Sequence, residues 1–145
     1  MSSDNKNFIF AVGKRKESVA RLRLYVTLPT DLKIETPKKG DLYVNGTKAQ
    51  DYFRGLIALP IILEPLIKTN TQDKYFISVR AVGGGKKGQL DALVHALSRA
   101  LSFADEKNRG ILKKAGLLTR DARVRERRKV GMGGKARRKR QSPKR

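Results

Sequence analysis

Gly83-Gly84-Gly85-Lys86-Lys87-Gly88 is the stretch whose residue types and spacing come nearest to chemistry, because Gly83, Gly85 and Gly88 reproduce Gly-x-Gly-x-x-Gly with two lysines inside. Glycines let a backbone come close to a phosphate, the free amides of a helix start attract its oxygens, and Lys86 and Lys87 add charge. After a strand and before a helix, such a loop can hold a dinucleotide. The rest of that site is missing here. No acidic residue ends a following strand to take a ribose, since Asp105 and Glu106 close the same helix, and a basic run follows where a second βαβ half is needed. Nor is it a Walker loop, because no Ser or Thr follows the lysines at the required spacing. What remains is contact with the phosphate backbone of RNA at Gly83, Gly84, Gly85, Lys86 and Lys87. A plain tight turn is the bland alternative, and a small phosphate- or nucleotide-handling enzyme is the reading from another class.

Two further basic groups suit the same partner. Gly13-Lys14-Arg15-Lys16 puts Lys14, Arg15 and Lys16 at a strand-to-strand turn, and Arg21 and Arg23 fall on the outer side of an alternating strand. From Arg120 onward the chain carries Arg120, Arg123, Arg125, Arg127, Arg128, Lys129, Lys135, Arg137, Arg138, Lys139, Arg140, Lys144 and Arg145, opposed by Asp121 and Glu126 alone. That segment therefore holds +11 of the chain's +21. After Val130 its apolar residues are Met132 and Ala136, too few to offset the entropy of ordering it. Residues 1–119 thus read as a globular head and 120–145 as an extended basic tail. Gly131, Gly133 and Gly134 loosen the tail, and Gly131 to Arg145 fully extended could span about 50 Å at roughly 3.3 Å per residue. Arginine outnumbers lysine there, which favours forked contacts to phosphate.

Other chemistry lacks its parts. There are no cysteines and one histidine, so thiolate nucleophiles, disulfides and multi-histidine metal sites are excluded. His95 falls on the polar side of a helix with no nucleophile and carboxylate pair around it, and reads as a surface or RNA-facing residue. No catalytic residue, metal or cofactor is expected. A charge of +21 on 145 residues far exceeds what solubility needs, and a polyanion is the obvious compensating partner. A DNA-compacting protein would share that charge, but no dimer-forming or groove-reading element is visible. No apolar run approaches the roughly 20 residues that cross a bilayer. Met1-Ser2-Ser3-Asp4-Asn5 resembles neither a signal nor a transit peptide. The expectation is a cytoplasmic protein.

The elements that position these groups follow from periodicity. Phe8 to Val12 is a short apolar strand ending at Gly13. Ser18 to Leu28 alternates, with Ala20, Leu22, Leu24 and Val26 on one side and Val19, Arg21, Arg23 and Tyr25 on the other. Leu42-Tyr43-Val44 is a third strand, closed by the turn Asn45-Gly46, with an elongated loop from Pro29 to Gly40 before it. Thr47 and Gln50 suggest a capping box for a short helix through Tyr52-Phe53. Pro60 and Pro65 break Ile57–Ile67 into one or two helical turns. Tyr75 to Val82 is the fourth strand, with Tyr75, Ile77, Val79 and Ala81 inward. Leu90, Leu93, Val94, Leu97, Leu101 and Ala104 form the stripe of a long helix whose other side carries Asp91, His95, Ser98, Arg99 and Ser102. A last helix, about 108–115, ends at Gly116. Tyr52, Phe53, Tyr75 and Phe76 read as core or edge packing, not as base-stacking platforms. The class is α+β: a two-layer sandwich of a roughly four-stranded sheet with helices on one face.

Taken in order, Gly13-Lys14-Arg15-Lys16 with Ala20-Arg21-Leu22-Arg23-Leu24, Tyr43-Val44-Asn45-Gly46, Tyr52-Phe53, Gly83-Gly84-Gly85 with Gly88-Gln89, Arg99-Ala100-Leu101, Gly116-Leu117-Leu118-Thr119-Arg120-Asp121 and Lys135-Ala136-Arg137-Arg138 resemble the bacterial-type ninth protein of the small ribosomal subunit. The resemblance covers about residues 8 to 145. It implies a fold like the second domain of the fifth small-subunit protein, with a left-handed βαβ crossover. It also implies a ribonucleoprotein role in translation, with partners in small-subunit rRNA of the subunit head, neighbouring head proteins and P-site tRNA, and without membrane or small-molecule substrate. By the same resemblance Lys135 to Arg140 lie along rRNA, and Lys144 and Arg145 approach the tRNA anticodon stem-loop. The compartment implied is the cytoplasm of a bacterium or the stroma of a plastid. Two features depart from the family pattern. The ending Gln141-Ser142-Pro143-Lys144-Arg145 lacks the usual aromatic, and the loop from about Thr27 to Asp41 is long.

Overall fold

In the computed structural model, residues 8–29, 37–54, 57–127 and 130 are described. The alternation along the second strand sets the layering. Ala20, Leu22 and Leu24 of β2 (Ser18–Tyr25) are buried, and in antiparallel register they face Ala81, Val79 and Ile77 of β5 (Phe76–Val82). β1 (Phe8–Arg15) pairs antiparallel with the other edge of β2. β3 (Leu42–Val44) pairs parallel with β5, and the two-residue β4 (Thr47–Lys48) closes the sheet antiparallel to β3. The order is β1-β2-β5-β3-β4, a mixed sheet of five strands where the sequence predicts about four. The additional strand is the return arm of the predicted Asn45-Gly46 turn. Both turn residues have positive φ, 50° and 85°, as a tight hairpin demands. Because Thr47 is part of this hairpin, its hydroxyl donates to the Val44 carbonyl at 3.0 Å and caps no helix. The predicted capping box with Gln50 therefore does not form, and α1 (Ala49–Phe53) starts without a side-chain cap.

The helices cover one face. α3 (Lys86–Ala104) lies across β1 and β2, while α2 (Ala58–Lys68) and α4 (Glu106–Lys114) flank it. Held between sheet and flanking helices, α3 is buried on more than one stripe: Ala92, Ala96 and Ala100 join Leu93, Leu97 and Leu101 in the core. Ser98, which the sequence places on the polar side, is fully buried for this reason and donates to the Val94 carbonyl at 2.8 Å. α2 runs unbroken for 11 residues where the prolines predict separate turns. Pro60 sits in its first turn, where an amide has no partner to lose, and Pro65 is buried inside it. α4 begins earlier than the pattern suggests because Asp105 accepts from the Lys107 amide at 2.9 Å. It ends as predicted at Gly116 (φ 73°). The Leu117 amide there bonds back to Leu112 and that of Gly116 to Lys113, the paired bonds of a Schellman motif.

β1 does not stop at Gly13 but continues to Arg15. Gly13 is buried under α3, where a Cβ would overlap the carbonyl of Ala92 and crowd the amide of Ala96. Tyr52, Phe53 and Tyr75 pack against the main core as expected. Phe76 belongs to a smaller cluster with Tyr25, Tyr43 and Phe8 on the sheet face away from the helices. Gly13→Ala is expected to destabilise the fold by about 1–3 kcal/mol or more, as overpacking against rigid backbone does. Gly110→Ala, at an exposed helical site with nothing within 4 Å of the new Cβ, is expected to stabilise by about 0.4–1 kcal/mol. Urea denaturation of both variants checks this, and equal effects would contradict the close approach at Gly13.

Candidate nucleic-acid interface

The glycine loop closes against the β1–β2 turn. Gly83 and Gly84 take left-handed conformations, φ 76° and 60°, and lie so close to that turn that a Cβ on Gly83 would overlap the Glu17 carbonyl. A Cβ on Gly84 or Gly88 would meet the hydroxyl of Ser18. Ser18, itself buried, donates to the Gly83 carbonyl at 3.1 Å, and the Gln89 side-chain amide donates to the same oxygen at 3.0 Å. Three of the four glycines thus serve the protein's own packing. Gly85 alone among them has open space where its Cβ would be.

A chain of polar contacts steadies the loop from behind. The Tyr52 hydroxyl donates to Gln89 Oε1 at 2.8 Å, and Asn45 donates to that hydroxyl at 3.2 Å. Asn45 also pairs its side-chain amide with both backbone groups of Ala81 at 2.9 Å, extending the ladder past the end of β3. Lys86 joins this chain. Its Nζ lies 3.2 Å from the Tyr52 carbonyl and over the Tyr52 ring. Lys87 instead shares an open concavity of about 450 Å³ with Lys16, Glu17, Gly84, Gly85, Val124 and Arg125. The amides of the first turn of α3 have no helical partner, since the Gln89 amide makes the first bond back, to Gly85, at 3.0 Å. Chemically this is a cationic hollow at a helix start, suited to an anion with oxygens to spare.

The predicted residues sort into distinct places. Lys16, Gly84, Gly85, Lys87 and Arg125 come together, with Lys14 exposed along the same turn. Arg15 is turned inward: its guanidinium lies 2.9 Å from Asp121, 3.5 Å from Asp91, and donates to the Arg123 carbonyl at 2.9 Å. It fastens the extended segment 120–127 to the head. Arg123 grips Asp121 at 2.6 Å, and its hydrogen bonds, aided by Arg15, hold that carboxyl well below the usual carboxylate range. Arg120 and Arg127 are exposed on the same segment. Arg21 and Arg23 lie on the opposite face of the sheet from the helices. Arg128, Lys129, Lys135, Arg137, Arg138, Lys139, Arg140, Lys144 and Arg145 are outside the described residues.

Sequence reasoning missed Arg80, exposed beside Arg21, and Arg99, whose guanidinium donates to the Val12 carbonyl on the edge of β1. Alternation along β5 carried the signal for Arg80. For Arg99 no local signal exists. His95, on the polar side of α3 by its spacing, is intermediate in burial. It is half-buried under residues 117–121, its Nε2 is 3.3 Å from the Leu118 carbonyl, and its Nδ1 has no hydrogen-bond partner among the described residues. Burial pushes its pKa down, with Arg99 and Arg120 adding to the effect against the bond to Leu118. No group of three or more metal-binding side chains occurs among the described residues, and no helix there is long and apolar enough to cross a membrane.

Residues 13–145 match the family described as ribosomal protein S9/S16, which puts the chain among the ribosomal proteins. It is 45% identical over 130 residues to the small ribosomal subunit protein uS9 of Maridesulfovibrio salexigens, covering 90% of this chain and 92% of that one. The uS9 proteins of Lawsonia intracellularis and Desulfotalea psychrophila are 41% and 43% identical, each over 86% of this chain and 88% of the relative. The chain belongs to the S9 family of small-subunit ribosomal proteins, and its role is that of a structural ribosomal protein in translation.

Two measurements on free protein test the geometry. Gly84→Ala, at positive φ and against Ser18, should lower stability by about 1–3 kcal/mol without any RNA present, whereas Gly85→Ala should stay within about 0.5 kcal/mol of the parent. Equal losses would refute the division of labour among the glycines. His95 is the chain's one histidine, with an ordinary value of 6.5 that folding lowers. The unfolded state therefore binds more protons below that value, so stability is full above about 6.5 and declines as pH falls toward the folded value. Urea midpoints at pH 7.5 and 5.5 should differ less in His95→Gln than in the parent; an identical difference would exclude His95 as the cause.

Proposed function

We propose that this protein binds small-subunit rRNA in the subunit head through phosphate contacts of the head and of the basic carboxyl-terminal segment, and that the end of the segment reaches P-site tRNA. The observation that carries the reading is the hollow at the start of α3, where Lys16, Lys87 and Arg125 converge from three separate parts of the chain around Gly84 and Gly85. The packing that brings them together leaves three cations against one carboxylate, Glu17, among the described lining residues, a surplus that suits an anionic partner. Residues 1–119 form the head in this reading and 120–145 the tail, and Arg15, through Asp121 and Arg123, sets where the tail leaves the head. Lys135, Arg137, Arg138, Lys139 and Arg140 then follow rRNA, and Lys144 and Arg145 meet the anticodon stem-loop. Head proteins are the other neighbours, the compartment is the cytoplasm, and no reaction is catalysed.

Binding of full-length protein to transcribed small-subunit rRNA should weaken steeply with salt, the log–log slope scaling as about 0.7–0.9 per contacted phosphate. Deleting 135–145 should make the slope clearly shallower, and an unchanged slope would remove the tail from the contact set. ATP, GTP and NAD should leave the melting temperature unmoved. A nucleotide bound at a hundred times its dissociation constant would add about 2.7 kcal/mol, and a saturable shift of that size would overturn the non-enzymatic reading.

A further inference from the structure

The sheet face turned away from the helices carries a second concentration of charge. Arg21 and Arg80 are direct cross-strand partners in the β2–β5 register, and Arg23 lies two residues along β2. Partners in such a register stand about 5 Å apart at Cβ, and like charges placed this way destabilise a sheet. Arg23 adds a third guanidinium about 7 Å further along the strand, from a rise of about 3.4 Å per residue. No ion pair reaches any of the three among the described residues, and Arg23 rests 5.0 Å over the ring of Phe8. The five strands contain no Asp or Glu, so the strands themselves bring no carboxylate to this face. By register Lys14, opposite Val19, and Lys48, opposite Tyr43, extend the same side. The arginines line an open concavity of about 660 Å³, floored by Ser78 and edged by Phe10, which is 49% exposed.

An exposed like-charge pair with no counter-ion from the described residues, at the middle of a sheet, gains most when something outside the chain neutralises it. Guanidinium forks suit phosphate oxygens, and their spacing across and along the strands suits successive phosphates of a backbone better than one isolated anion. The shallow, broad hollow has none of the enclosure of a small-molecule site. We infer that the outer sheet face, centred on Arg21 and Arg80 with Arg23 beside them, is a second RNA-backbone surface, built from residues that do not overlap those of the glycine-loop hollow. This rests on the rRNA reading above, and it makes Arg80 a contact residue.

The test uses full-length protein and transcribed small-subunit rRNA across a potassium chloride series. Arg21→Gln combined with Arg80→Gln should make the log–log slope shallower by about 1.4–1.8, from about 0.7–0.9 for each lost phosphate contact. The RNA-free melting temperature should hold or rise, because repulsion has been removed. Arg80→Gln alone should give about half that change and guards against a folding defect in the double variant. Lys16→Gln with Lys87→Gln should act additively with the pair, as separate surfaces do. If the parent binds with a steep slope and the Arg21/Arg80 variant is indistinguishable from it, the sheet face does not bind RNA, while the rRNA reading stands; an acidic protein neighbour on this face would produce that result. If the parent itself shows no salt-dependent binding, the rRNA reading fails and this inference falls with it.

Discussion

The closeness of α3 to the β1–β2 hairpin governs the rest of the molecule. At Gly13 the helix meets the strand with no side chain between them, at Gly83 the loop meets the backbone of the hairpin's turn on the same terms, and Gly84 and Gly88 lie against the Ser18 side chain. Interiors are packed as densely as crystals, so a single added carbon must displace backbone at Gly13 and Gly83 and the Ser18 hydroxyl at Gly84 and Gly88. The contact sets how far α3 sinks onto the sheet, hence which of its faces are buried and where its first turn opens. The open amides, Lys87 and the Lys16 turn face one hollow because this contact puts them there.

A second constraint is electrostatic. With +21 to accommodate, the fold divides its cations into two populations. Arg15, Lys86 and Arg99 are spent on the chain itself, on carboxylates, on an aromatic ring and on backbone carbonyls. Arg21, Arg23 and Arg80 have no ion pair among the described residues and stand beside one another, as do Lys16, Lys87 and Arg125 around their hollow. Internal pairing orders the chain, and the crowded external groups raise the free energy of the protein alone and lower it beside a polyanion. That is the physical content of a protein made for assembly.

The Arg15–Asp121–Arg123 contacts join these two constraints. Arg15 belongs to the turn that the glycine loop clamps, and it holds residues 121–123 through a carboxylate and a carbonyl. The direction in which the basic segment departs is thus tied to the packing of α3. His95, beneath residues 117–121 with one nitrogen on the Leu118 carbonyl, supports the same segment from below.

Much of this was determined by sequence alone. Two-residue alternation made β2 and β5, the 3.6-residue stripe made α3, Asn45-Gly46 made its hairpin turn and Gly116 its helix end, since each depends on neighbours within a few residues. The basic clusters, and the family they resemble, were legible for the same reason. Tertiary structure decided what depends on the residue opposite. It made β4 a fifth strand and so took Thr47 from its cap, carried α2 through Pro65, and buried Ser98 beneath flanking helices. It turned three of the loop's glycines toward Ser18 and Glu17, and Arg15 and Lys86 toward internal partners, and it set Arg80 against Arg21. A linear pattern records that a residue is small or charged; whether the space or the counter-charge beside it belongs to the same chain or to a partner is settled only when distant segments pack.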